Sequence, residues 1–266
     1  MPVLRFEQTH QCPFPVTTTG AGTALTVCEV GNDPMLAFLT QTGYDDEIVY
    51  LALGCCVEYF RQPTPVNREV ISGMGFNPIT KKIWCGCTTS QRNEVFSFDP
   101  ATGQEVAAFD LSADSTLSLP GGFATNGLFF VRASGSNLEL RSMAGVKLGQ
   151  IQFPGRSIGA ISQSPWSWTF GDRVNNEIVV INPFGAEVAT APAPGSATGL
   201  QAIAYDTVSD MSAHPQVWQP DCTIGDPGTI HHPDTPWNPT PWQFRHRLYV
   251  ANETDQMIYA GYLTEF

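Results

Sequence analysis

Hydrophobic positions along the chain come in short alternating runs separated by polar breaks, with no helical stripe longer than a turn or two. One unit recurs: a small residue, a large apolar residue, a polar break, then another apolar strand. Ala24-Leu25 precedes residues 34–39, Gly75-Phe76 precedes 82–87, Gly122-Phe123 precedes 128–131, and Ala160-Ile161 precedes 166–170. A fifth copy starts at Ala202-Ile203 and resumes only at 247–251. The large anchor residues are 51, 47, 38 and 42 positions apart. A period of roughly 40–50 residues made of short strands predicts a β-propeller.

The second copy is the most legible. Strands are predicted at 71–76, 82–88, 94–98 and 105–109, with the last two joined by Asp99-Pro100-Ala101-Thr102-Gly103. Pro sets φ in such a turn and Gly supplies the left-handed residue. Hairpins of the same plan turn on Gly145 and Gly185. The fifth copy lacks an outer strand, whereas residues 3–8 form an unassigned one at the N-terminus. Donating it to the last blade closes the ring and removes an open edge. The expectation is an all-β, single-domain propeller over 1–266, with five blades of four antiparallel strands. Six is the fallback if two short sheets are merged in 1–70.

The blade pattern, and above all the strand–Asp-Pro-x-x-Gly–strand hairpin within 94–111, resembles the NHL, YVTN and gluconolactonase-like propeller superfamilies. The similarity is architectural and spans about residues 20–263. It implies the fold, and the fold hosts many unrelated functions.

Composition then narrows the partners. The formal charge is −12, with charged residues at only 14%. No Lys/Arg cluster offsets it, so nucleic acid and anionic membranes are not expected partners. The N-terminus shows no signal-peptide pattern, and no apolar run approaches the ~18 residues of a spanning helix. The expected location is the cytoplasm. The seven cysteines, an odd number, fall mostly in apolar strand patterns and read as mostly reduced core residues.

The fifth copy is interrupted by an insertion over 207–245, rich in Trp, His and Pro. An irregular stretch this long inside a compact domain is unusual and commonly functional. It joins the first and second strands of a blade, so it is expected over one mouth of the central channel. As a ligand lid, Trp218, Trp237 and Trp242 supply flat apolar surface, while His231, His232 and Asp234 orient the ligand. His214 and Cys222, with the paired histidines, are also ligand types for zinc or copper. A third reading is a Pro-stiffened flap that plugs the channel or contacts a second subunit.

Polar residues at the inner-strand ends, Glu29, Asn77, Asn126, Gln163 and Asp206, form a second constellation. Oxygen donors of this kind suit a hard cation such as Ca²⁺. The resemblance to gluconolactonase-like enzymes implies a Glu, an Asn and an Asp around a metal, which points to Glu29, Asn126 and Asp206. The bland reading is polar strand ends that serve turns and water. No nucleophile elbow or phosphate loop is present. Two functions therefore stand. One is a propeller without a cofactor that binds a small-molecule or protein ligand at the covered mouth. The other is a hydrolase, lactonase or lyase using a divalent cation, Ca or Zn, in the channel.

Overall fold

The computed structural model describes residues 3–15, 23–31, 33–40, 47–53, 57–64, 71–88, 93–111, 122–164, 167–197, 199–206 and 247–265. Strand β1 (Leu4–Pro13) is set aside for the last blade. Blade 1 is β2 (Thr23–Val30), β3 (Asp33–Thr40), β4 (Glu47–Ala52) and β5 (Glu58–Pro63). Blade 2 is β6 (Ile71–Asn77), β7 (Lys82–Thr88), β8 (Asn93–Phe98) and β9 (Glu105–Asp110). Blade 3 is β10 (Gly122–Thr125), β11 (Phe129–Ser134), β12 (Asn137–Ser142) and β13 (Lys147–Gln152). Blade 4 is β14 (Ile158–Ser164), β15 (Ser167–Asp172), β16 (Glu177–Ile181) and β17 (Glu187–Pro192). Blade 5 is β18 (Leu200–Tyr205), β19 (Leu248–Asn252) and β20 (Met257–Glu265), with β1 as its outer strand.

Every blade is an antiparallel meander, and the inner strands β2, β6, β10, β14 and β18 touch in a closed ring. The protein is thus a five-bladed propeller, closed by the N-terminal strand as the pattern predicts. No helix of the described residues is long and apolar enough to cross a membrane.

The outer hairpins form for the local reasons visible in the sequence. Asp99 Oδ1 accepts the Ala101 amide at 2.9 Å, and the Gly103 amide returns to the Asp99 carbonyl at 2.7 Å. Gly103 sits at φ 71° and Gly185 at φ 84°, where a β-carbon would be strained. Asn182 repeats the Asp99 role, accepting the amides of Phe184 and Ala186.

Two further devices are silent in the hydrophobic pattern. The pairing of the outer strand shifts once in every blade, at Tyr50/Leu51, Ser97/Phe98, Leu140/Arg141, Val180/Ile181 and Gln8/His10. Bulges at one place per blade increase local twist and turn the outer strand away from the axis. In β1 the bulge also switches faces. Leu4 and Phe6 pack with the blade 4 core, whereas Cys12 and Phe14 pack with blade 1. The closing strand therefore touches both neighbours of its own blade.

Inner strands carry a second shift, at Ile71/Gly73, Ile158/Ala160 and Leu200/Ala202. This corrects the register of the second repeat. Gly73 abuts Gly122 and Gly122 abuts Ala160, so the anchor of that repeat is Gly73-Met74, not Gly75-Phe76. The anchors Leu25, Met74 and Phe123 then fall 49 positions apart.

The apolar core lies in the seams between blades, as in the cluster joining Leu25, Phe38 and Leu51 of blade 1 to Tyr249 and Ile258 of blade 5. Trp84 and Phe130 are buried within it, Trp84 stacked on Phe109. The expected reduced thiols are found at Cys28, Cys85 and Cys87, all buried and none in a disulfide. The expectation fails at Cys12, which is disulfide-bonded.

Candidate functional site

Five inner strands crowd the axis, and the crowding selects the side chains there. The position before each anchor is Ala24, Gly73, Gly122, Ala160 or Ala202, always the smallest residues. A β-carbon on Gly73 would fall 2.2 Å from the Phe123 nitrogen, and one on Gly122 would fall 2.9 Å from the Ile161 nitrogen. The axial space is correspondingly small. About 10 Å³ lies among the anchors, and about 20 Å³ lies above them among Thr26, Thr125, Ser162, Gln163 and Tyr205. Those volumes hold a water molecule, not a substrate. Chemistry on a larger ligand belongs on the mouth.

The inner strands end at what we call the upper mouth. One residue past the anchor, a side chain reaches the next blade: Thr26 Oγ1 accepts the Phe76 amide at 3.1 Å, and Ser162 Oγ accepts the Tyr205 amide at 2.9 Å. Inner strands are sheet edges, and these bonds satisfy donors that no strand pairs.

Three residues past the anchor stand Cys28, Asn77, Asn126, Ser164 and Asp206. Asn77 and Asn126 do the same work: each Oδ1 accepts two amides of its following turn, Ile79 and Thr80 for the first, Leu128 and Phe129 for the second. Asp206 is buried, and its amide donates to the Arg247 carbonyl at 2.8 Å. Glu29 lies one position beyond this ring and pairs with Lys81; Gln163 lies one short of it, half-buried. Glu29, Asn126 and Asp206 thus share one mouth. Among the described residues no group of three or more His, Cys, Asp or Glu is placed to hold a metal ion.

Arg247, Tyr249, Tyr262 and His10 gather at the upper end of blade 5. The Arg247 guanidinium lies 5.9 Å from the Tyr262 ring centre. Tyr249 is fully buried, with its hydroxyl beside the Arg247 side chain. Burial pushes the phenol's pKa up. Burial, and then the charge of Arg247, hold the His10 imidazole below its ordinary pKa.

Beside the ring is a feature the sequence reasoning missed. Ile79 and Leu128 are each 62% exposed and Phe129 is 38% exposed. They belong to consecutive turns of blades 2 and 3, and Ile79 lies directly over the Gly127 backbone, where a β-carbon would be 2.9 Å away. Scattered exposed apolar residues are ordinary, whereas these three lie side by side at one mouth. The available signal was an apolar residue just after each turn-capping Asn, where polar residues are the rule.

The predicted ligand residues Trp218, His231, His232, Asp234, Trp237 and Trp242 lie outside the described residues, as do His214 and Cys222. The described chain stops at Asp206 and resumes at Arg247, both at this upper mouth.

No family model matches the chain, and no curated protein matches its sequence. Solved structures do match in fold. The glutaminyl cyclase of Myxococcus xanthus superposes with a TM-score of 0.64 at 12% identity, over 100% of both chains. A streptogramin B lyase gives 0.45 at 17% identity, over 73% of this chain and 63% of that one. A chain of a nidogen/laminin complex gives 0.46 at 14% identity, over 76% and 97%. The first of these likenesses bears on the fold alone.

Proposed function

We propose that the protein is a ligand- or partner-binding propeller whose site is the upper mouth. The observation that carries this reading is the exposed Ile79–Leu128–Phe129 surface beside a polar ring, on the mouth where Asp206 and Arg247 bracket the insertion. A rigid ring that presents turns at one face makes a shallow concave site. The apolar surface would hold the body of a ligand. Trp218, Trp237 and Trp242 of the insertion would cover it, with His231, His232 and Asp234 supplying orienting polar contacts.

The enzyme reading, a hydrolase, lactonase or lyase using a divalent cation, draws support from Glu29, Asn126 and Asp206 facing one mouth. The fold likeness to a glutaminyl cyclase keeps catalysis in view without assigning a reaction.

One experiment separates the readings. Calorimetric titration with a panel of dipeptides and mono- and disaccharides would be run on the protein, on Leu128→Asp and on Trp237→Ala/Trp242→Ala. A response lost in both variants supports the mouth site; a response unchanged in both sinks it. Elemental analysis of the untagged protein decides the second reading, which requires stoichiometric metal that falls in Asp206→Asn.

A further inference from the structure

Asn126 is followed by Gly127, and an Asn–Gly pair occurs once in the chain. The fold asks for both residues. Gly127 has φ 89°, and a β-carbon there would fall 2.9 Å from Asn77 Oδ1 and 2.9 Å from the Ile79 side chain. Asn126 caps the turn through its carboxamide oxygen, which accepts the Leu128 amide at 3.0 Å and the Phe129 amide at 2.8 Å. One turn thus sets a carboxamide carbon next to the least hindered backbone nitrogen a protein offers.

Three other turns at this end of the ring are capped by an Asn or Asp oxygen. Those of Asn77, Asp99 and Asn182 take the amides of Ile79, Ala101 and Phe184. Each runs on into proline, at Pro78, Pro100 and Pro183. A proline nitrogen has no proton to give up, so it cannot close a neutral imide on the side chain before it. Of the four caps, that at Asn126 alone has a backbone N–H next to it.

We propose that Asn126 is a deamidation site and that its own turn restrains the reaction. The Gly127 nitrogen bonds to Asn126 Cγ as it gives up its proton; the Cγ–Nδ2 bond breaks, and ammonia leaves with that proton. Water then opens the imide at either carbonyl. One opening leaves an aspartate at position 126, whose carboxylate can accept the same two amides. The other leaves isoaspartate, whose backbone runs through an extra carbon and shifts the exposed Leu128 and Phe129. The fold opposes the first step. Attack needs the carbon within about 3.5 Å of a nitrogen clear of other partners. Here Oδ1 is tied to amides two and three residues on, and the Gly127 amide donates to Thr125 Oγ1 at 3.1 Å. Thr125 is itself buried, and its hydroxyl donates to the Phe129 carbonyl at 2.8 Å. The site needs no ligand and stands apart from the ligand reading.

Peptide mapping of the full chain, incubated at pH 8 in buffer and in urea, tests both halves. In urea the peptide carrying Asn126 should deamidate before any other asparagine peptide, with isoaspartate revealed by enzymatic methyl labelling. In buffer it should react about a hundredfold more slowly, because three hydrogen bonds must open together. Thr125→Val removes the acceptor of the Gly127 amide; it should speed the folded protein about tenfold and leave the rate in urea unchanged. Native-state hydrogen exchange of the Leu128 and Phe129 amides gives a check on the wild type alone, since their protection should match the slowing. Earlier loss at another asparagine in urea overturns the site. Equal rates in buffer and urea, or protection unrelated to the slowing, overturn the restraint.

Discussion

At the residue scale, the strongest constraint in this chain is the demand for small side chains around the axis. Gly73 and Gly31 show two different reasons for being glycine. At Gly73 the difficulty is space, since a β-carbon would strike the backbone of blade 3 at 2.2 Å. At Gly31 nothing lies within 4 Å of that position, but φ is +67°. Gly73→Ala must push two inner strands apart and is expected to cost about 3 kcal/mol, the upper range for overpacking. Gly31→Ala pays only for a left-handed backbone, about 1 kcal/mol. Urea denaturation of the two variants checks this; equal costs would mean that the axis yields more easily than its packing implies. Asn77 and Asn126 make a related point. Each looked like a metal ligand or a turn cap, and both carboxamide oxygens are already taken by two amides of the adjoining turn.

At the scale of elements, the legible parts of the sequence were those with local causes. The outer hairpins turning on Gly103, Gly145 and Gly185 announce themselves because a positive φ there needs glycine. The closing strand was legible by arithmetic, since the last blade lacked a strand and the N-terminus had one to spare. Its length was not: it runs to Pro13, because the bulge at Gln8/His10 carries it past blade 5 toward blade 1. Bulges leave no hydrophobic signature, and for the same reason the register of blade 2 was misread by two residues. Gly75-Phe76 and Gly73-Met74 fit the small–large pattern equally well. With the register corrected, Asn77, Asn126 and Asp206 take equivalent places, a regularity that the sequence spacing had hidden. His10 sits just beyond the bulge, close to Arg247. Its pKa is lowered in the folded state, so folded protein binds fewer protons than unfolded protein. The stability that follows is complete above the ordinary histidine pKa and is lost as pH falls below it. Thermal midpoints of wild type and His10→Gln should therefore diverge between pH 7 and pH 5, wild type falling further. Parallel curves would show that the closing strand tolerates a charged imidazole.

For the whole molecule, acid has two opposing effects. Protonating carboxylates relieves the self-repulsion of a chain with formal charge −12, which favours the compact state. It also discharges carboxylates that the fold has stabilised. Asp99 of blade 2 is held below the usual carboxylate range chiefly by Lys82. Asp255 of blade 5 is held low chiefly by the Ser196 hydroxyl. At Asp172 of blade 4, burial would raise the pKa, but bonds from the Ser157 amide, Asn175, Arg156 and the Val174 amide outweigh it. A depressed carboxylate contributes stability that is present above its unfolded pKa, near 4, and is lost as pH falls through the lower folded value. Three such groups spread over three blades should outweigh long-range repulsion, which about 0.15 M salt already screens beyond some 8 Å. Stability should therefore decline steeply from pH 5 to pH 3. Asp99→Asn/Asp172→Asn/Asp255→Asn should be less stable at pH 7 yet lose less over that interval. Repeating both curves in 1 M NaCl isolates the cause. Local pairing of partly buried groups leaves the wild-type acid limb largely in place, whereas a limb that disappears in salt would assign the pH dependence to net charge instead.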